Sequence, residues 1–246
     1  MIDLHSHILP AFDDGARDLD ESVEMARILE NDGVAHVVAT PHCHHYLPSY
    51  REDILPRVRE LNASFRARGV ALEVLPGSEI QLRDIDNYKA NYEAGKFCHL
   101  GDRREYSLLE FPWRLEDAPD GAPELVVWLK ARGTTPILAH PERTPLLREN
   151  AALLAALIEN GALIQITVDS LSGAHGAGAL SHGENIVREY SHVAVLATDS
   201  HGTSRCSGLS EGFARVENLC GENISQKIRS RMENIGAALL AHSQSD

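Results

Sequence analysis

The chain has 246 residues, 43% of them hydrophobic, and a formal net charge of −13. Its length suits a single domain over residues 1–246 with one substantial core, and its negative charge argues against a nucleic-acid partner bound through the phosphate backbone. Because no apolar run approaches the roughly 18 residues of a membrane span and no basic region precedes an apolar segment at the start, we expect a cytoplasmic protein without membrane insertion.

Two imidazoles lie two residues apart in the first segment, Met1-Ile-Asp-Leu-His-Ser-His7. In a β-strand, residues i and i+2 point the same way, so His5 and His7 can bind one metal ion together. The carboxylate of Asp3 is close enough in sequence to orient one of these imidazoles from behind. The segment therefore predicts a short strand that carries part of a metal site.

Apolar runs and helical segments alternate after this first strand. The apolar runs predict strands, and residues with helical periodicity separate them. Residues 81–104 are polar and irregular and predict no regular element. The predicted strands after the first cover residues 34–40, 72–75, 106–109, 135–139, 163–167 and 193–197, and the predicted helices cover residues 18–31, 50–68, 123–132, 149–160 and 184–190, with one or two more within 208–242.

Seven short strands that alternate with helices predict parallel pairing, because a parallel connection needs a crossover of this length. We expect a seven-stranded β/α barrel, related to the TIM barrel, with its active site at the C-terminal ends of the strands. An open doubly wound sheet is the alternative, although it would bind a ligand only at a switch point between strands. Ligand-type residues at six of the seven strand ends favour the closed barrel over the open sheet.

These strand ends carry imidazoles and carboxylates. Any one of the 13 histidines is more often a surface or core residue than a ligand, but chance seldom places such side chains at consecutive strand ends. Nitrogen and oxygen donors without a cysteine ligand suit manganese, iron or zinc and disfavour a structural zinc cage. So many candidates predict two or three ions, with Glu79 able to bridge, as fits phosphate ester hydrolysis. The candidates are His5, His7, Asp14, His42, Glu79, Glu110, His140, Asp199 and His201.

The strand-end segments resemble the successive motifs of the polymerase and histidinol phosphatase (PHP) superfamily. Three further segments resemble, more narrowly, the bacterial manganese-dependent protein tyrosine phosphatases of capsule and exopolysaccharide operons. The similarity runs from Met1 to about Leu240. The first set of segments is Asp3-Leu-His5-Ser-His7, Ala39-Thr-Pro-His42, Pro76-Gly-Ser-Glu79, His140-Pro141 and Thr198-Asp199-Ser-His201, and the second is Ile8-Leu-Pro with Asp13-Asp14-Gly15, Leu109-Glu110-Phe-Pro112 and Ala139-His-Pro-Glu-Arg143.

The resemblance implies a distorted TIM-like barrel of the PHP type with a three-metal site that takes Mn²⁺, with iron or zinc as alternatives. It also implies that Arg143 grips the substrate phosphate through its fixed fork of donors, that Arg205 is a further phosphate ligand, and that His42 or His201 relays a proton. The implied ligands are His5, His7, Glu79 and Asp199 for one ion, Glu79, Glu110 and His140 for a second, and Asp14, His42 and His201 for a third.

The implied function is that of a protein tyrosine phosphatase in which a metal-bridging hydroxide attacks phosphotyrosine. The implied partner is the phosphorylated, tyrosine-rich tail of a bacterial tyrosine kinase that regulates capsular or exopolysaccharide synthesis. The alternatives are a histidinol-phosphate or other small-molecule phosphatase of the superfamily, and a non-catalytic metal-dependent binding module. An amidohydrolase also begins with His-x-His on a barrel, but Glu110 stands where that family has a strand-end lysine.

The chain departs from the phosphatase pattern at two positions. Thr144 stands where an aromatic residue usually follows the Glu-Arg pair, which affects the expected aryl pocket. The arginine expected after the Asp-x-His motif appears one position early, as Arg205, before Cys206-Ser-Gly208.

A thiol-dependent mechanism is the remaining alternative. The four cysteines are scattered and predict neither a disulfide framework nor a zinc knuckle. Cys98-His-Leu-Gly101-Asp-Arg-Arg104 fits the Cys-x-x-Gly-x-x-Arg loop that cradles phosphate around a thiolate. That loop should follow a buried strand and open a helix, whereas this segment follows polar residues and leads into a strand. We interpret the match as a coincidence, and the pairs His44-His45 and His175/His182 as loop residues, with His44 at the rim of the site.

Overall fold

Short strands alternate with helices along the computed structural model, which describes residues 1–44, 46–114 and 117–241. The strands are β1 (Ile2–Ser6), β2 (His36–Ala39), β3 (His42–His44), β4 (Leu47–Pro48), β5 (Glu73–Pro76), β6 (Glu79–Gln81), β7 (Tyr106–Glu110), β8 (Thr135–Ala139), β9 (Leu163–Thr167) and β10 (Ala194–Ala197). The α-helices are α1 (Leu19–Asn31), α2 (Arg51–Ala67), α3 (Ile85–Glu93), α4 (Ala122–Lys130), α5 (Pro145–Glu149), α6 (Ala151–Glu159), α7 (Val168–Ser172), α8 (Gly176–Tyr190), α9 (Leu209–Cys220) and α10 (Glu222–Leu240).

The strands form two hydrogen-bonded sheets. Strands β1, β2 and β5 form a three-stranded sheet, and the other seven follow the order β10-β9-β8-β7-β6-β3-β4. Every ladder between the described strands is parallel except the short one between β3 and β4. The predicted mixed α/β fold with parallel strands is therefore confirmed.

The expected closed barrel is not observed as one continuous sheet within the described residues. The two sheets separate where the chain passes from β2 to β3 and from β5 to β6. Pro41 has no amide hydrogen to donate to a ladder, and Gly77 packs so closely that a Cβ atom there would lie 2.7 Å from Val38 Cγ1. Among the described residues, the only β-bridge between strand β1 and the larger sheet is the isolated one between Ser6 and Ser200.

Helix α3 contradicts the prediction that residues 81–104 contain no regular element. Asp84 caps this helix by accepting a hydrogen bond from the amide of Asn87 at 2.9 Å. The helix buries Tyr88 and Tyr92, which are four residues apart and therefore lie on one face. Polar residues between these tyrosines hide the buried face in the sequence.

Helix α8 begins at Gly176 and is longer than the predicted helix over residues 184–190. Its first half buries Ala179 and Gly183, so small residues carry the packing and weaken the apolar periodicity. The helices predicted within residues 208–242 are α9 and α10, and His242 lies outside the described residues. None of the described helices is both long enough and apolar enough to cross a bilayer.

The core lies between the sheets and the surrounding helices. The bodies of β8, β9 and β10 contribute Ile137, Ile164 and Val195, whose side chains are fully buried. Buried polar side chains such as Glu79 and Asp199 are found where strands begin or end. The fold thus supports a polar site on a packed apolar interior.

His99 makes the stability of this core dependent on pH. Its ring lies 5.2 Å from that of Tyr92 and 6.3 Å from that of Phe97, and burial lowers the pKa of His99 from 6.5 to about 4. Because the pKa of His99 is lower in the folded state than in the unfolded state, the unfolded state binds a proton first as the pH falls. The folded protein is therefore fully stable with respect to this group above pH 6.5 and loses stability as the pH falls towards 4. The complete loss amounts to about 3 kcal/mol. We expect His99→Phe to flatten the pH dependence of the free energy of unfolding, measured by chemical denaturation.

The control for this measurement is His36→Gln on strand β2, since the side chain of His36 is 29% exposed and lies outside the buried core. This variant should keep the pH dependence of the parent. Equal slopes for His99→Phe and the parent between pH 4 and 6.5 would contradict the assigned effect.

Candidate metal centre

The predicted ligand residues converge where the parallel strands end. In this region, four groups of histidine, aspartate and glutamate side chains each bring their ligand atoms within 4.8 Å of one another. Every predicted ligand belongs to at least one group. The groups are His7, Asp14, His42 and His201; His5, His7 and Asp199; His5, Glu79 and His140; and His42, Glu79 and Glu110.

The first histidines of the chain meet Asp199 in a buried group. The Nε2 atoms of His5 and His7 lie 3.2 Å apart. Asp199 Oδ1 lies 3.3 Å from the first of these atoms and 3.5 Å from the second. This oxygen is buried and has no hydrogen-bond partner among the described residues. The three atoms therefore face a common point, and a shared cation satisfies them better than a hydrogen bond between any two.

Glu79 connects this group to the others. Its Oε1 atom lies 2.8 Å from His140 Nε2, and its Oε2 atom lies 2.8 Å from His42 Nδ1. Oε2 is also 3.5 Å from the Nε2 atoms of both His5 and His7. Glu110 completes the group at a longer distance, with its Oε1 atom 4.0 Å from His140 Nε2. A carboxylate placed in this way can serve two ions at once.

Asp14 forms the most open part of the cluster. Its Oδ1 atom lies 3.3 Å from His42 Nε2 and 3.5 Å from His201 Nε2, and its side chain is 67% exposed. Against the effect of burial, the carboxylates of Asp14 and Glu79 raise the pKa of His42 to about 10. Metal binding at this imidazole would therefore release a proton.

Two residues that the sequence analysis missed hold the imidazoles in place. Gln165 Oε1 lies 3.0 Å from His5 Nδ1 and accepts a hydrogen bond from the backbone amide of His140 at 3.2 Å. Asp13 Oδ2 lies 2.7 Å from His7 Nδ1 and accepts a hydrogen bond from the amide of His42 at 3.0 Å. These contacts leave the Nε2 atoms of His5 and His7 free to face the cluster.

The prediction that Asp3 orients an imidazole is wrong. Its carboxylate accepts hydrogen bonds from the amide of Thr198 at 3.1 Å, from the Thr198 hydroxyl at 2.5 Å and from the amide of His5 at 3.4 Å. Burial raises the pKa of Asp3 to about 6. Asp3 therefore ties the end of β10 to β1 through the backbone, and the imidazoles take their orientation from Gln165 and Asp13.

Two candidate ligands have a left-handed backbone. The φ angles are +31° at His140 and +50° at Asp199. Such conformations cost non-glycine residues about 1–3 kcal/mol each and persist only where surrounding contacts impose them. At His140 the contact is the hydrogen bond to Gln165, and at Asp199 the amide donates to the carbonyl of His5 at 2.9 Å. These contacts aim both side chains into the cluster.

The electrostatics of the buried residues suit bound cations. Burial alone would raise the pKa values of Glu79 and Asp199, but the surrounding imidazoles, His5 foremost, hold both well below their usual range. Burial and the charge of Glu79 raise the pKa of Glu110. Burial, followed by the charge of His7, lowers the pKa of His201 to about 4. Anionic carboxylates and neutral imidazoles are the forms that ligate metal ions. The pKa shifts of Glu79, Asp199 and His201 favour these forms, whereas His42 and Glu110, whose pKa values are raised, would give up a proton to a bound divalent cation.

Comparison with known proteins identifies the family of this chain. The model of a family described as capsular polysaccharide synthesis, CpsB/CapC, matches residues 1–239. The chain belongs to this family. The matched range includes every candidate ligand.

Individual relatives in the CpsB/CapC group agree with this assignment. Tyrosine-protein phosphatase YwqE of Bacillus subtilis (strain 168) is 36% identical over 204 residues, which cover 82% of this chain and 77% of YwqE. The putative tyrosine-protein phosphatase CapC of Staphylococcus aureus is 35% identical over 181 residues, covering 72% of this chain and 68% of CapC. A crystal structure from work on YwqE and on CpsB of Streptococcus pneumoniae, described as unique metal-dependent tyrosine phosphatases, has a TM-score of 0.87 and 32% identity and covers 97% of this chain and 94% of that one.

Both predicted phosphate-binding arginines of this CpsB/CapC chain meet Asp199. The guanidinium group of Arg143 donates to Asp199 Oδ2, and that of Arg205 donates to the same oxygen at 3.0 Å. The shift of Arg205 by one position therefore does not remove it from the site. Thr144 is fully buried, and its hydroxyl lies 3.4 Å from the carbonyl oxygen of His140.

Cys98 does not lie in a phosphate cradle. Its side chain is fully buried, and burial raises the pKa of its thiol. The arginines of the segment are engaged elsewhere, since Arg103 forms an ion pair with Glu105 and Arg104 lies over the ring of Tyr92 at 4.8 Å. These contacts support the interpretation of the sequence match as a coincidence.

The other histidines that the sequence analysis singled out have different surroundings. His44 belongs to strand β3, so its loop prediction is wrong, although its side chain lines the cleft at the rim of the cluster. His45 lies outside the described residues. His175 precedes α8, as the loop prediction requires, but His182 lies within that helix, so its loop prediction is wrong.

A cleft of about 610 Å³ opens over the cluster. Polar cluster residues form one part of its lining, and aromatic and aliphatic side chains from the β3–β4 hairpin and from the segment after β7 form another. The lining residues are Asp13, Asp14, His42, His44, Tyr46, Leu47, Gln81, Glu110 and Trp113.

Proposed function

We propose that the chain is a metal-dependent phosphoric monoester hydrolase that removes phosphate from phosphotyrosine in a protein substrate. The observation that carries this proposal is the joint placement of nine ligand-type side chains and two arginines at the strand ends of a CpsB/CapC family member. Relatives named as tyrosine-protein phosphatases at 35–36% identity support the substrate class.

The proposed ligands are distributed over three positions. The short distances around Glu79 and Asp199 support a buried pair of positions, and the contacts of Asp14 support a more open third one. We propose Mn²⁺ as the ion, with iron or zinc as alternatives, since histidine and carboxylate donors suit all three. His5, His7, Glu79 and Asp199 would hold one ion, Glu79, Glu110 and His140 a second, and Asp14, His42 and His201 a third.

The protein side chains bind and orient the phosphate. When bound, the ions lower the pKa of water to supply a nucleophile and neutralise phosphate charge. Arg143 and Arg205 both donate to one carboxylate oxygen of Asp199, and a phosphate group is the other anion that guanidinium donors bind in this way. Phenolate, with a pKa near 10, leaves with little assistance. His42 and His201, beside the open edge at Asp14, are the groups that can pass a proton.

The architecture and the biological setting complete the proposal. We propose that residues 1–246 form one domain and that the two sheets together make a distorted PHP-type barrel. Backbone hydrogen bonds from Asp199 to His5 and from His7 to Ser200, both 2.9 Å long, support closure between β10 and β1. The proposed substrate is the tyrosine-rich tail of a bacterial tyrosine kinase in capsular or exopolysaccharide synthesis. A cytoplasmic location agrees with four free cysteines.

An activity screen with the manganese-loaded protein tests the function. We expect hydrolysis of a phosphotyrosine peptide, and much slower hydrolysis of histidinol phosphate, of an oligonucleotide and of a peptide with phosphoserine at the same position. Phosphate release measures all four reactions. Faster turnover of histidinol phosphate would assign the chain to the small-molecule phosphatases, and the absence of turnover with every substrate would favour a binding module.

A further inference from the structure

Two exposed aromatic side chains lie in the cleft over the candidate metal centre. Among the described residues, the exposed large apolar side chains are Tyr46, Trp113 and Val127, and the first two line this cleft. They come from different loops, because Tyr46 lies between β3 and β4 and Trp113 follows β7. Single exposed apolar residues need no explanation, but two aromatic rings in one polar cleft indicate a ligand with an apolar part.

Trp113 is held firmly beside the cluster. Its indole N–H donates to Glu110 Oε1 at 2.8 Å. Its ring is stacked on that of His140, with centroids 5.8 Å apart and planes inclined by 28°. The guanidinium carbon of Arg143 lies 5.4 Å from the centre of the indole ring. The residue nevertheless remains 44% exposed and lines the cleft, so its ring presents a fixed aromatic face there.

The position of this face matches the shape of an aryl phosphate. One ester oxygen separates the phosphorus atom from the aromatic ring, so the ring must lie directly beside the groups that hold the phosphate. In the proposed function Arg143 binds the phosphate and Glu110 holds a neighbouring ion, and Trp113 contacts both. Thr144 cannot supply an aromatic wall, because it carries no ring and is fully buried.

We propose that Trp113 is the aryl-binding wall of the site and determines its preference for aromatic over alkyl phosphates. This inference rests on the proposed function, since the aryl group concerned is the phenyl ring of phosphotyrosine. The indole contacts the substrate ring through stacked or edge-to-face geometry, and Tyr46 borders the same cleft.

Binding of two phosphonates to the manganese-loaded protein tests the proposal independently of turnover. Benzylphosphonate carries a phenyl ring and methylphosphonate does not, while both present the same phosphonate group. We expect Trp113→Leu to weaken benzylphosphonate binding by about 10-fold, from the loss of ring contact and apolar burial, and to leave methylphosphonate binding unchanged. Trp113→Phe keeps an aromatic face and should retain most of the preference. Calorimetric titration measures both dissociation constants.

The phenylalanine variant also separates binding of the ring from support of Glu110. If Trp113 acts only through its hydrogen bond to Glu110, both variants lose that bond. Both should then bind the two phosphonates more weakly by the same factor and contain less metal. That pattern, or an unchanged ratio of the two dissociation constants in Trp113→Leu, would overturn the proposal.

Fluorescence gives a second readout that needs no change at Trp113. The chain has two tryptophans, and Trp128 lies on α4 with its ring 5.1 Å from that of Tyr92. In a Trp128→Phe protein, benzylphosphonate should shift the remaining emission and methylphosphonate should not. Identical responses to both would contradict ring contact. Failure of the proposed function would appear separately, as a parent protein that does not hydrolyse the phosphotyrosine peptide.

Discussion

Removing divalent metal with a strong chelator should abolish hydrolysis of phosphotyrosine, and replacing Cys98 by serine should leave it nearly unchanged. A metal-dependent reaction and attack by a thiolate would both hydrolyse phosphotyrosine, so the substrate does not distinguish them. Chelation and the loss of the Cys98 thiol do, because each removes the nucleophile of only one mechanism. His5 Nε2 lies 3.5 Å from Glu79 Oε2 and 3.3 Å from Asp199 Oδ1, distances that suit ligands of a shared cation. We expect a loss of at least about 1,000-fold in kcat/KM, since water activation and charge neutralisation supply several kcal/mol.

Manganese should restore the chelated enzyme, and the Cys98→Ser variant should respond to chelator and manganese as the parent does. Cys98 is fully buried, and burial disfavours its thiolate. A buried hydroxyl without a partner costs about 1–3 kcal/mol, so the comparison requires folded protein, checked by circular dichroism. Cys220→Ser, at a partly exposed cysteine at the end of α9, is the matched control. A chelator-resistant enzyme that Cys98→Ser inactivates would overturn the metal mechanism.

Glu79→Gln should have the largest effect of any single substitution in the cluster. The two oxygens of Glu79 serve His140 on one side and His42 on the other, each at 2.8 Å. An amide keeps the volume of the carboxylate but offers one neutral oxygen, so it cannot bridge two cations. We expect a loss on the order of 1,000-fold in kcat/KM. Metal analysis of the same samples should show fewer bound ions, with the fold intact.

The matched control is Glu73→Gln on β5, the strand that leads towards Glu79. Glu73 is 54% exposed and forms a long ion pair with His36 at 3.7 Å. Its replacement removes the same charge at the surface, so activity and metal content should stay close to those of the parent. If Glu79→Gln behaves like this control, Glu79 does not belong to the proposed site.

The ligand cluster was the most predictable part of this molecule. Parallel strands place their C-terminal ends at one edge, so ligand-type residues after successive apolar runs had to lie close together. His5, Glu79 and Asp199 are separated by many residues in sequence and meet through this rule alone. The same rule does not reach residues that act from within a strand or a loop. Gln165 lies inside β9, and its only sequence signal is a polar residue in an otherwise apolar run.

Other features depend on contacts that no local pattern encodes. Pro41 lacks an amide hydrogen, and Gly77 packs closely on Val38. The sheet divides at these two positions, and the strands do not form the expected continuous barrel. Helix α3 cannot be recognised from the sequence alone, because its buried face contains only two tyrosines within an otherwise polar stretch. Asp13 stands next to a predicted ligand, but only the fold shows which aspartate of the pair reaches His7.

The left-handed backbone at His140 and Asp199 sets the proposed activity and the stability of the fold against each other at the same two positions. A glycine at either position would adopt this conformation without steric cost but would remove a candidate metal ligand. A glycine variant would thus gain folding stability, because the unfavourable free energy of the left-handed conformation would be reduced, but we expect it to be inactive. Selection for folding stability alone would therefore favour glycine at both positions, whereas the proposed metal site requires the histidine and the aspartate that are present.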